Sequence, residues 1–152
     1  MVNEIFGCYV SVSTNATMDK DKQELSFEKG RLFRKYIWSE EGINNILKKV
    51  VFNSYGKDIK LILFEFYVNP IIEQLKYIEK GISYKRKEKS IGIPIVITDD
   101  NFFSKSERER KRLLESIIFE KLALLIEYVE KKKLDIQIEL IIKDLQQVIA
   151  NE

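Results

Sequence analysis

Asp99 and Asp100 stand side by side, and Asp19 and Asp21 stand two apart; their types and spacing bear most directly on chemistry. Paired carboxylates serve acid–base catalysis and bind divalent cations. Asp99-Asp100 follows an apolar run, and ligands gather beyond the carboxyl ends of strands in α/β folds. Adjacent residues at a strand end point apart, however, and turns favour Asp without any ligand. The pair therefore reads as a turn. Asp19 and Asp21 lack the glycine and distal glutamate of a calcium loop and read as a solvated loop. Cys8 is the one cysteine, so neither an intramolecular disulfide nor a cysteine zinc cluster can form. A nucleophilic cysteine wants a histidine partner, and the chain has no histidine. That absence also removes the Ser-His-Asp triad, histidine zinc sites and histidine general bases. Cys8 reads as a small buried hydrophobe on a strand. The chain holds no GxGxxG, GxxxxGK[ST], GxSxG or HExxH, and six glycines scattered singly make no phosphate cradle. No constellation here declares a catalytic, cofactor or metal chemistry.

Binding chemistry is better represented. Lys85-Arg86-Lys87-Glu88-Lys89, with Tyr84 beside it, and the cations of 105–112 are candidate phosphate-facing surfaces. Each contains acidic residues. The first also reads as an exposed strand guarded by lysine against edge pairing, the second as a solvated helix face. The whole chain has 26 basic and 24 acidic residues, a net charge of +2. That balance argues against a dedicated nucleic-acid binder, whose affinity comes mainly from neutralised phosphates. Trp38, Tyr36 and Phe33 fit an exposed recognition surface, although such aromatics are more often core.

The elements that position these residues follow from periodicity. The organising stretch is Ile59–Val68, apolar on both parities apart from Lys60 near its start and Glu65, which reads as a central strand packed on each side. Ile5–Ser13 alternates as a strand with one buried face. Ser13 to Asp21 reads as a polar loop. Ser26 to about Val51 repeats apolar residues at three and four, as a helix does. The Ser39-Glu40-Glu41-Gly42 segment leaves it either continuous or broken near Trp38–Gly42. After Asn69-Pro70, residues 71–78 fit a short strand or a short helix. Ile82–Lys89 reads as a polar strand, and Ile91–Thr98 as a strand whose Pro94 puts it at an edge or a bulge. Ser106 with Glu109 has capping-box spacing for a long helix whose stripe runs from Leu113 to Val129. A last helix spans about Asp135 to Ala150.

The 152 residues are 45% hydrophobic and 33% charged, a composition that predicts one folded α+β domain over 1–152. Its expected architecture is a small, mainly antiparallel sheet in the order β-α-β-β-β-α-α, packed against long amphipathic helices. No apolar run spans a bilayer and the first residues lack a signal-peptide pattern, so the expected location is the cytoplasm.

The opening strand with Gly7, the long charged helix, Tyr55-Gly56 before an apolar strand, and Tyr84-Lys85-Arg86-Lys87-Glu88-Lys89 leading into Ile91–Asp99 form one ordered set. With the long helix after Phe102, this set resembles bacterial polymorphic-toxin immunity proteins. The likeness is strongest to the small single-domain type encoded beside contact-dependent or secreted toxins. The resemblance implies a non-enzyme without cofactor or metal, binding one cognate toxin in the cytoplasm at or near its active site. Dense charge of both signs suits rapid, specific association. Against a nuclease toxin with a basic cleft, the expected plug is acidic. Asp19, Asp21, Glu24 and Glu28 form one candidate partner-binding cluster, and Glu40 and Glu41 beside Trp38 form the other. The competing reading is a small nucleic-acid-binding module using the 84–89 strand and the 105–112 helix start.

Overall fold

The computed structural model describes residues 9–16, 31–37, 42–48, 55–70 and 72–151. Its strands are β1 (Tyr9–Ala16), β2 (Leu61–Val68), β3 (Ser83–Lys85) and β4 (Ser90–Ile97). Its helical elements are α1 (31–37), α2 (Ile43–Lys48), α3 (Ile72–Glu79), α4 (Glu107–Lys132) and α5 (Ile138–Ala150), with a π-helical turn at Asp99–Phe103. The architecture is α+β, as expected. The sheet is mixed, in the order β1-β2-β4-β3, and only β3–β4 is antiparallel. Two of the three pairings, β1–β2 and β2–β4, are parallel, which corrects the mainly antiparallel expectation. The physical reason lies in the connections. Helices intervene between β1 and β2, and α3 with β3 intervenes between β2 and β4, so each strand returns by a crossover of the kind parallel pairing requires.

Register explains the core. Ile62, Phe64, Phe66 and Val68 lie beside Ile91, Ile93, Ile95 and Ile97, and all eight side chains are buried. The opposite face of β2 is less covered: Leu61, Leu63 and Glu65 are half-buried and Tyr67 is buried, so the central strand is packed on both sides but unequally. Glu65 stands on this second face, where its carboxylate lies over Gly92; a Cβ there would come within 2.4 Å of Oε1. Strand β1 runs on to Ala16, into the stretch expected as loop, because Thr14, Asn15 and Ala16 pair with Phe66, Tyr67 and Val68.

Pro94 sits where the sheet can tolerate it. Strand β3 pairs only as far as Ser83↔Gly92, shorter than the expected 82–89, and residues 86–89 form a turn. Asn69 N–H donates to the Ile97 carbonyl, and Leu61 N–H to that of Lys89. Odd-numbered peptide groups of β4 thus face β2, while those of Pro94 and Val96 face the edge beyond β3. The missing amide donor removes no ladder bond. Asn101 Nδ2 donates to the Val96 carbonyl at 3.0 Å, further blunting that edge.

Helix α4 begins with the expected capping box. Glu109 N–H donates to Ser106 Oγ, and Ser106 N–H donates to the Glu109 carboxylate. Its buried stripe is Leu114, Ile118, Leu122, Leu125 and Val129, and it ends at Lys133 in the left-handed region, φ 56°. Helix α5 buries Ile138, Ile141 and Leu145. The turn before β2 is tied to the α4–α5 connection: Gln137 N–H donates to the Tyr55 carbonyl, and Tyr55 Oη donates to Asp144 Oδ2 at 2.7 Å. Gly56, at φ 151°, lies so close to this connection that a Cβ would fall 2.2 Å from the Asp135 carbonyl oxygen.

Candidate partner-binding site

Three aromatic rings from two parts of the chain build the support. Phe102, in the π-helical turn, is fully buried, with Phe33 and Tyr36 of α1 packed edge-to-face against it at 5.3 Å each. Such pairs add about 0.5–1.5 kcal/mol beyond the area they bury. Arg110 locks α4 onto this cluster. Its Nη2 donates to the Phe103 carbonyl at 2.6 Å, Nε to the Phe102 carbonyl at 3.3 Å, and Nη1 to Tyr36 Oη at 3.1 Å. The guanidinium also lies over the Tyr36 and Phe102 rings, at 5.8 and 5.7 Å from their centroids. A planar fork with several donors suits this combination of carbonyls, hydroxyl and ring faces; a lysine ammonium does not.

Pinned this way, α1 and α2 on one side and the first turns of α4 on the other enclose a groove of about 990 Å³. Its floor is apolar. Ile43, Ile46 and Leu114 are buried there, and Leu32 and Tyr36 are half-buried. Its rim is charged: Lys35 extends from α1, and Arg108, Lys111 and Arg112 from α4, all exposed. Glu107 and Glu115 share the rim. The carboxylate of Glu109 is engaged at the helix start by the Ser106 amide. Where α1 gives way to α2, Gly42 packs against the end of α1 so closely that a Cβ would lie 2.6 Å from the Ile37 carbonyl oxygen.

The other basic stretch is placed elsewhere. Residues 86–89 form the turn between β3 and β4, with Lys89 at φ 51°. Lys85 and Glu88 make an exposed ion pair at 4.0 Å. Tyr84 packs against the core close enough to Tyr128 to help burial raise that phenol's pKa. Tyr128 and Arg108 are twenty residues apart on the continuous α4, about 30 Å at helical rise. The two stretches named for a nucleic-acid reading therefore do not form one surface.

The sequence matches the model of the family described as Immunity protein 44 over residues 10–151, nearly its whole length. The chain belongs to the Immunity protein 44 family. Among curated proteins and solved structures nothing matches it. The resemblance to immunity proteins of polymorphic toxin systems is thereby upheld.

The acidic and aromatic residues expected to contact a partner in such an immunity protein (Asp19, Asp21, Glu24, Glu28, Trp38, Glu40 and Glu41) lie outside the described residues. So does Cys8. Asp99 and Asp100 open the π-helical turn, where Asp100 is exposed and the entry is closed by reciprocal bonds, Thr98 N–H to Asn101 Oδ1 and Asn101 N–H to Thr98 Oγ1. That matches the turn reading. Among the described residues no group of three or more Asp, Glu or Cys could hold a metal ion, and no helix is long and apolar enough to cross a membrane. Sequence reasoning missed the groove. Its one available signal was Arg110, which falls four residues before Leu114 and eight before Ile118. A cation in register with an apolar stripe is a candidate anchor rather than a solvated charge.

Proposed function

We propose that this chain neutralises a cognate bacterial toxin by binding it through protein–protein contact, without catalysing a reaction of its own, in the cytoplasm of the cell that makes both. The observation that carries this reading is the family match across residues 10–151. The described body suits the task. A parallel sheet core, α5 tied back to the turn before β2, and α4 riveted to α1 through Arg110 make a scaffold that binds with little rearrangement. Charged side chains spread over such a scaffold speed encounter and exclude wrong partners.

The test is co-expression with the toxin domain encoded immediately upstream. Cells producing that domain should survive when this chain is present, and the two purified proteins should elute together as a complex. Rescue without a complex, or a complex without rescue, overturns the reading.

A further inference from the structure

We infer that the groove between α1/α2 and the start of α4 is the docking surface for the toxin, and that the segment it receives is acidic with an apolar side chain at its centre. This rests on the toxin-binding reading above. Charge selects the occupant. The chain as a whole is nearly neutral at +2, yet Lys35, Arg108, Lys111 and Arg112 converge on one opening. The neighbouring Glu109 spends its charge on the Ser106 amide. These four cations outnumber Glu107 and Glu115 on the same rim, and a net positive, concave, partly apolar site attracts a segment of opposite charge.

The floor decides between protein and nucleic acid. Phosphates satisfy the same cations, but unpaired nucleotides also need open aromatic faces on which bases stack. Tyr36 is the aromatic side chain of the described lining. It meets Phe102 edge-to-face and lies beneath the Arg110 guanidinium, so that face is already covered. What the floor offers instead is apolar surface from the half-buried Leu32, backed by the buried Ile43, Ile46 and Leu114, which takes a leucine-like or phenylalanine-like side chain. A central apolar anchor ringed by charge is the usual build of a tight interface. Because Arg110 is held by carbonyls, hydroxyl and rings, the groove is formed before the partner arrives, which lowers the ordering cost of binding.

The experiment measures association of the full chain with the upstream-encoded toxin domain at low and moderate salt. One variant carries Arg108→Glu, Lys111→Glu and Arg112→Glu, and a second carries only Lys35→Glu and Lys111→Glu. A third, matching the first in charge change, carries Lys85→Glu, Arg86→Glu and Lys87→Glu; a fourth carries Asp19→Lys and Asp21→Lys. Unchanged thermal unfolding shows that each variant is folded. Both groove variants should associate on the order of tenfold more slowly at low salt, with the gap closing as salt rises, while the third and fourth stay near the wild type. Equal slowing by the third variant, or slowing by the fourth alone, overturns the groove assignment. So does loss of RNA binding by the groove variants with toxin association intact. Failure of the unaltered chain to bind the toxin domain sinks the toxin-binding reading itself, whereas unaltered binding with unaffected groove variants sinks only the groove.

Discussion

The stretches 85–89 and 105–112 have similar composition, lysine and arginine interleaved with glutamate, but the fold uses them differently. The first is a turn between two short-paired strands, and its side chains reach into water, with Lys85 and Glu88 loosely paired at 4.0 Å. Such exposed pairs contribute between nothing and about 1 kcal/mol. The second opens a 26-residue helix that must be joined to the rest of the body. There one cation of the run, Arg110, is withdrawn to bind two carbonyls and a tyrosine hydroxyl over aromatic rings, and the others are left lining a groove. Charge density alone does not separate the two cases. What separates them is whether a buried aromatic cluster lies within reach of one guanidinium.

The comparison is broken most severely by removing that cluster. Phe102 is fully buried and touches Phe33, Tyr36 and Phe103 edge-to-face. Phe102→Ala should lower unfolding stability by about 3–5 kcal/mol, since it leaves a cavity as well as losing apolar burial. Chemical denaturation measures it. A loss near 1 kcal/mol would mean that α1 and α4 are joined by other contacts and that the aromatic cluster does not distinguish the two basic stretches.

The second change is milder. Arg110→Lys keeps the charge and removes the fork, so the Phe102 and Phe103 carbonyls and Tyr36 Oη lose donors. The site is half-exposed and water can replace part of what is lost, so the expected destabilisation is about 1–2 kcal/mol by the same measurement. Equal stability of the two proteins would make Arg110 one more solvated cation, like those of the hairpin.

Parts of this contrast were readable from the chain and parts were not. Periodicity placed β2, β4, α4 and α5 because each presents a nearly unbroken apolar stripe, and capping-box spacing fixed Ser106 as the start of α4. Strand direction was misjudged, although the clue was present. Ile59–Val68 is apolar on both parities, as inner strands of parallel sheets are, whereas the strand expected over Ile82–Lys89 gives antiparallel pairing only at Ser83–Lys85. The 71–78 segment was undecidable by periodicity, and it became α3, a helix with no buried residue and with Ile72 and Tyr77 exposed. Residues 31–37 and Ile43–Lys48 are helical on either side of the expected break. The groove was illegible for a different reason. Its walls come from residues some seventy positions apart, brought together by the Arg110–Tyr36 bond and the packing of Phe33 and Tyr36 on Phe102.

The smallest expected effect sharpens the comparison from the other side. Neutralising the hairpin with Lys85→Ala, Arg86→Ala and Lys87→Ala removes three exposed cations and one ion pair at 4.0 Å between largely exposed partners. Nothing buried is uncovered, because the anchor of this hairpin is Tyr84 against the core, together with the pairing of Ser83–Lys85 to Ser90–Gly92. Stability should therefore change by no more than about 0.5 kcal/mol, the range of substitutions away from buried features. Screening makes the point testable a second way, since any residual effect of exposed charges should shrink as salt is raised. A loss of 2 kcal/mol that persists at high salt would show that the hairpin cations are held as Arg110 is, and the two regions would no longer differ in kind.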